Sequence, residues 1–236
     1  MGLNYFMVEE TSSLDFGVII SNAAVFNAPA RVYERVSVPG RNGAILFDEG
    51  YYENVDVKYD AALLHKKGNL DDFRSWLASF SGYVRLEDTY HPEEYRIAVP
   101  AGGLTVNTEA AMKVGRFSVE FNCKPQRFLK IGEKTTRYTE SVTLFNPTRF
   151  PASPLIRVYG SGSLGIGDQT VTIAAHGLDY IDLDCDLSDA FCGSTNANSY
   201  VSLSGDHYPS LAVGKTGIVL GTGITAVEIT PRWWTL

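Results

Sequence analysis

Residues 39–64 read PGRNGAILFDEGYYENVDVKYDAALL. From 54 to 59 apolar and polar residues alternate, with Val55, Val57 and Tyr59 on one face and Asn54, Asp56 and Lys58 on the other. Period two is the pattern of a strand with one buried face. The stretch reads as a hairpin turning at Asp48-Glu49-Gly50, and its length and mixed polarity suit an arm reaching beyond its domain. In a monomer the open edge of such an arm invites aggregation, whereas a ring pairs it with a neighbour. An ordinary internal hairpin fits the same residues equally well. On the arm reading, Arg41, Asn42, Phe47, Tyr51, Tyr52, Val55, Val57 and Tyr59 are the candidate inter-subunit contacts.

The same alternation recurs on the C-terminal side. Val84/Leu86, Phe117/Val119/Phe121, Ile181/Leu183/Cys185 and Val227/Ile229 each alternate with polar residues, and glycine-rich turns separate the later runs. One segment departs from it. Leu70, Phe73, Trp76, Leu77 and Phe80 recur at helical spacing, Asn69 is placed to cap, and Gly82 follows where a helix should stop. This predicts one amphipathic helix over 69–80, laid across a sheet. Between 126 and 153 a polar run gives way to LFNPTRFPASP, whose prolines disfavour continuous regular structure. A junction near 136–145 divides the chain into 1–138, strands plus the helix, and 139–236, strands and glycine turns. The fold class is therefore mainly β.

Composition narrows the function. The 236 residues are 44% hydrophobic and 20% charged, enough for a core without metal or disulfide staples. A formal charge of −7 argues against nucleic-acid binding, which needs Lys and Arg facing phosphates. The three cysteines are an odd number without CxxC spacing and read as core residues of a reducing compartment. The N-terminal segment has no signal-peptide pattern, and no run of about 20 apolar residues predicts membrane insertion.

Catalytic and metal motifs fail on inspection. Gly214-Lys215-Thr216 resembles the end of a phosphate-binding loop, but Pro209 stands where that loop needs glycine and a strand pattern follows. Asp182, Asp184 and Asp186 resemble the start of a calcium loop, yet Leu187 and Gly193 replace its glycine and its bidentate Glu. The three acids read as the wet face of a strand. The four histidines form no metal motif, no serine lies in a G-x-S-x-G elbow, and Glu93-Glu94 beside His91-Pro92 reads as a turn. No enzyme activity, cofactor or metal is expected. Trp233 and Trp234 next to Arg232 offer a carbohydrate platform, although neighbours on a strand face opposite ways and packing is the preferred reading.

Taken in order, the motifs resemble the distal tail (Dit) proteins of long-tailed phages and their prophage relatives. They run from Val38-Pro-Gly-Arg-Asn-Gly43 and Tyr51-Tyr-Glu-Asn54 to Trp76-Leu77, Gly82-Tyr83-x-Arg85-Leu86-x-Asp88 and His91-Pro92-x-x-Tyr95-Arg96. Phe121-x-Cys123-Lys-Pro-Gln-Arg-Phe128, Asn146-Pro147-Thr148, Tyr159-Gly-Ser-Gly162 and Pro231-Arg-Trp-Trp234 continue the series. The resemblance implies an N-terminal β-sandwich with one helix and an extended hairpin arm, and a smaller C-terminal galectin-like β-sandwich. It implies a homo-hexameric ring, alone or stacked as a dodecamer, at the virion tail tip after assembly in the bacterial cytoplasm. Its expected partners are the tail tube protein, the tail-tip hub or tail-associated protein, and a receptor-binding protein. A lectin-like module contacting the host cell wall is the alternative.

Overall fold

The computed structural model describes residues 2–21, 27–64, 69–101 and 116–236. The chain divides into two units, residues 1–127 with Leu236, and residues 128–235.

The first unit holds β1 (Phe6–Val8), β2 (Thr11–Ser12), β3 (Val18–Ile20), β4 (Arg31–Ser37), β5 (Ala44–Tyr52) and β6 (Val55–Leu63). Helix α1 (Leu70–Ala78), β7 (Val84–Asp88), β8 (Glu94–Pro100) and β9 (Arg116–Leu129) follow. Its main sheet has the order β2-β1-β7-β8-β9-β6-β3. The path curls until its ends approach, Ile20 donating its N–H to the Asn4 carbonyl at 2.8 Å. The layers of this sandwich are thus two halves of one sheet. Phe6 and Val8, Val18 and Ile20, Val57 and Tyr59, and Val119 and Phe121 converge from its strands on a single core.

Helix α1 adds Phe73 and Leu77 to that core, with Leu70, Trp76 and Phe80 packed around them. These are the five residues whose spacing predicts the helix. Asn69 caps it, its side chain accepting the Asp72 N–H at 3.2 Å. Phe6 lies between Tyr59 and Trp76, with ring centroids 5.4 and 6.2 Å away.

Strands β4 and β5 form a separate two-stranded ribbon. Here the structure corrects the sequence. The ribbon turns at Val38–Gly43, with Ser37 paired to Ala44, and Asp48-Glu49-Gly50 lies inside β5. Pro39 and Gly40 occupy the central positions of a turn closed by the Arg41 N–H to the Val38 carbonyl at 3.2 Å. Gly40 has φ 80°, the left-handed value that the third residue of such a turn requires and only glycine adopts freely. The acidic stretch is instead a bulge: Arg31 faces Tyr52 and Tyr33 faces Asp48, so β5 carries extra residues. The run 55–63, read from sequence as the hairpin's second limb, is β6 of the main sheet.

The second unit holds β10 (Thr136–Tyr138), β11 (Val142–Asn146), β12 (Leu155–Gly160), β13 (Gly162–Ile166), β14 (Gln169–Ile173) and β15 (Ile181–Asp184). Then come β16 (Asp189–Cys192), β17 (Thr195–Asn196), β18 (Val201–Leu203), β19 (Gly214–Leu220), β20 (Ile224–Thr230) and β21 (Trp234–Thr235). All but β21, which pairs with β9, form a six-stranded sheet, β10-β20-β12-β15-β16-β17, and a five-stranded sheet, β11-β19-β13-β14-β18. Ile156, Val158, Leu183 and Ile229 from the first meet Leu164, Ile166, Val171 and Ile218 from the second, a β-sandwich core. The division after Arg127 precedes the expected 138/139 junction because the polar run 130–138 belongs to the sandwich. Its strand β10 pairs with β20, and Tyr138 packs against the core.

Candidate assembly surface

The ribbon β4–β5 exposes side chains on both its faces. Glu34 lies opposite Phe47 and Val36 opposite Ile45, while Arg35 lies opposite Leu46 and Tyr33 opposite Asp48. Residues two apart share a face, so apolar side chains occur on both. Leu46, Phe47 and Tyr51 are 54, 52 and 56% exposed, and Tyr33, Val36 and Val38 are exposed beside them. No other strand of the described residues pairs with either edge.

The ribbon is braced at its base. Arg31 holds Asp48 with its Nε at 2.8 and 2.9 Å and its Nη2 at 2.6 Å, and its guanidinium lies 5.0 Å from the Tyr52 ring. The Arg31 bond, then the Gly50 N–H, keep the Asp48 carboxyl below its ordinary pKa, and the same bond to Asp48 raises that of Arg31. Glu53 donates its N–H to the Ala30 carbonyl at 2.9 Å. Over residues 31–52 three arginines (Arg31, Arg35, Arg41) balance Glu34, Asp48 and Glu49, so the whole −7 of the chain lies elsewhere.

Of the predicted contacts, Arg41, Asn42, Phe47 and Tyr51 are exposed on this ribbon and Tyr52 is half-buried at its base. Val55, Val57 and Tyr59 are buried in the first unit and offer no side chain to a neighbour. The Tyr59 hydroxyl donates to Asp88 at 2.7 Å, and Asp88 also accepts the backbone N–H groups of Tyr90 and His91. Sequence reading missed Tyr33, Val36 and Leu46, because setting the turn at 48–50 left β4 out of the hairpin. The alternation in RVYERVS, 31–37, was the available signal.

The remaining candidates are structural. Trp233 is 6% exposed within the second core, and Trp234 stacks on Phe150 at 4.6 Å while its Nε1 donates to the Pro151 carbonyl. Trp233 therefore has no face open to a sugar, while Trp234 is half-buried with one face against Phe150. Asp182 and Asp184 are not wet. Arg157 grips Asp182 at 2.8 and 2.9 Å, and Arg232 grips Asp184 at 2.7 and 2.9 Å. Gly214-Lys215-Thr216 opens β19, paired with β11, with Thr216 buried. Cys123 and Cys185 are buried, and burial pushes each thiol up to about 12. Among the described residues no three His, Cys, Asp or Glu side chains gather as metal ligands, and no helix is long and apolar enough to cross a membrane.

Residues 11–123 match the model of the phage tail protein RIFT-related domain. The match lies within the first unit. Its matched span runs from β2 to β9 and includes the ribbon. Among solved structures, the SPP1 Dit protein is similar over 100% of both chains, with a TM-score of 0.73 at 13% identity. That protein is described as a paradigm of the hub adsorption apparatus in phages infecting Gram-positive hosts. The phage p2 baseplate in its activated, strontium-bound conformation covers 97% of this chain and 98% of its own, with a TM-score of 0.49 and 11% identity. None of the curated proteins matches the sequence at a significant level. The chain therefore has the fold of the SPP1 Dit protein.

Proposed function

We propose that the protein is a distal tail protein of a long-tailed phage or prophage. It acts without catalysis, as a hexameric ring that continues the tail tube and carries the host-adsorption apparatus. The ribbon β4–β5 is the observation that carries this reading. A two-edged arm of zero net charge with exposed apolar side chains, on a chain of net charge −7, suits docking to a second copy, which would repel an acidic arm. The phage tail domain that bears the arm supplies the setting. An acidic ring also suits a lumen that passes DNA without holding it.

The five exposed or half-buried arm residues Arg41, Asn42, Phe47, Tyr51 and Tyr52 form the contact together with Tyr33, Val36 and Leu46. The tail tube, the tail-tip hub protein and a receptor-binding protein are the neighbours of the ring, which assembles in the host cytoplasm and ends at the virion tail tip. The test replaces residues 32–51 with Asn-Gly, a two-residue turn that joins the paired positions Arg31 and Tyr52. Light scattering after size exclusion, with negative-stain images of the same peak, should give rings for the wild type and a folded monomer for the variant. Rings from the shortened variant would exclude the arm as the contact.

A further inference from the structure

We propose that Asn42-Gly43, at the tip of the arm, is a site of spontaneous deamidation that converts a neutral contact into an acidic one. It is the sole Asn-Gly pair in the 236 residues. Both residues are exposed, in the bend that joins β4 to β5. The chemistry needs the backbone nitrogen of residue 43 to reach the side-chain carbonyl carbon of Asn42. Glycine removes the obstacle: it has no side chain beside the attacking nitrogen, and no neighbour crowds the place where a Cβ would stand. Asn42 lies outside the β4–β5 ladder, which ends at the pair Ser37 and Ala44, so no strand pairing holds its backbone.

The steps balance without any co-reactant except water. The Gly43 amide loses its proton to hydroxide, and its nitrogen bonds to the Asn42 Cγ. The bond from Cγ to Nδ2 then breaks, and that nitrogen departs as ammonia after taking a proton from water. Water opens the resulting five-membered imide at either carbonyl, giving an aspartate or an isoaspartate. Arg41 next door favours the anionic amide and the oxyanion that follows. The other asparagines lack this combination. Asn54, Asn69, Asn122, Asn146 and Asn198 have side chains held by hydrogen bonds, and larger residues follow each.

The consequence for assembly rests on the arm's role as an inter-subunit contact; the chemistry does not. One added negative charge tips the arm from neutral to acidic, against a partner that is itself acidic. An arm seated in a neighbour is shielded, so the reaction marks subunits that stay unassembled.

The purified full chain, held in mildly alkaline buffer, is followed by peptide mapping with mass spectrometry. A mass gain equal to replacing NH2 by OH should accumulate at Asn42 before it appears at any other asparagine. Asn42→Ser should abolish it and Gly43→Ala should slow it. An unchanged Asn42 in folded protein, alongside deamidation in heat-unfolded protein, would overturn the site. Asn42→Asp should self-associate more weakly than wild type in sedimentation velocity. Equal association would overturn the regulatory effect while leaving the site. A wild type that never associates would instead refute the arm's assembly role and the regulatory effect with it, the mass gain standing unaffected.

Discussion

Asp184 and Arg232 show how much of the second unit hangs on two side chains. Asp184 is 5% exposed, and burial alone would make its charged form costly. Two Arg232 bonds and the N–H groups of Leu187 and Asp186 outweigh that cost, and its pKa is lowered. Arg232 reaches it from a left-handed backbone at φ 58°, a conformation that costs a residue with a Cβ about 1 kcal/mol. The charge-assisted pair offsets the strain and fixes Trp233 in the core, where its carbonyl accepts the Leu129 N–H. Arg232→Ala, which strands the carboxylate, should destabilise the unit by about 3–5 kcal/mol in urea unfolding followed by tryptophan fluorescence. Because the folded pKa lies below the unfolded value of about 3.9, the stabilisation is complete above that value and is lost as pH falls through the folded one. Asp184→Asn should therefore flatten the acid limb of stability against pH. An acid limb as steep as that of the wild type would place the proton-linked loss on another carboxylate.

The elements separate into those that pack and the one that does not. Phe73→Ala in α1 removes a fully buried ring and should cost about 3–5 kcal/mol, while Asn69→Ala removes only its cap and should cost about 1 kcal/mol. Phe47→Ser with Tyr51→Ser on the arm should leave stability within about 0.5 kcal/mol yet weaken self-association in sedimentation, since neither side chain is buried in its own unit. A large stability loss from the double variant would mean that the arm folds back onto the domain. The helix was legible because five apolar residues repeat at a period that needs no partner to be seen. The arm's turn was misplaced because Asp48-Glu49-Gly50 has turn composition but sits in a bulge, a feature fixed by its cross-strand partner Arg31. The alternation at 54–59 correctly marked a strand. It could not say whether that strand's apolar face meets its own core or a neighbour, and Val55, Val57 and Tyr59 meet the core. The acids of β15 misled in the same way, since Arg157 lies on a paired strand and Arg232 beyond the end of another. Register, unlike period, is not written locally.

At the scale of the molecule, charge and shape pull in opposite directions on assembly. Each copy carries −7, and the proposed ring would gather that charge around one axis. The neutral arm contributes apolar area that salt does not weaken, whereas repulsion between the bodies of the subunits is screened. The Debye length falls from about 30 Å at 0.01 M salt to about 8 Å at 0.15 M. Association through the arm should therefore tighten as ionic strength rises, which sedimentation velocity across a salt series reads directly. Exposed ion pairs such as Lys58–Glu120 are spent within the subunit and contribute little to the trend. If salt instead dissolves the assembly, ion pairs hold the copies together, and the contact must lie on charged surface away from residues 31–52. The arm-shortened variant decides between the two, because a charge-held ring would survive loss of the arm and still dissolve in salt.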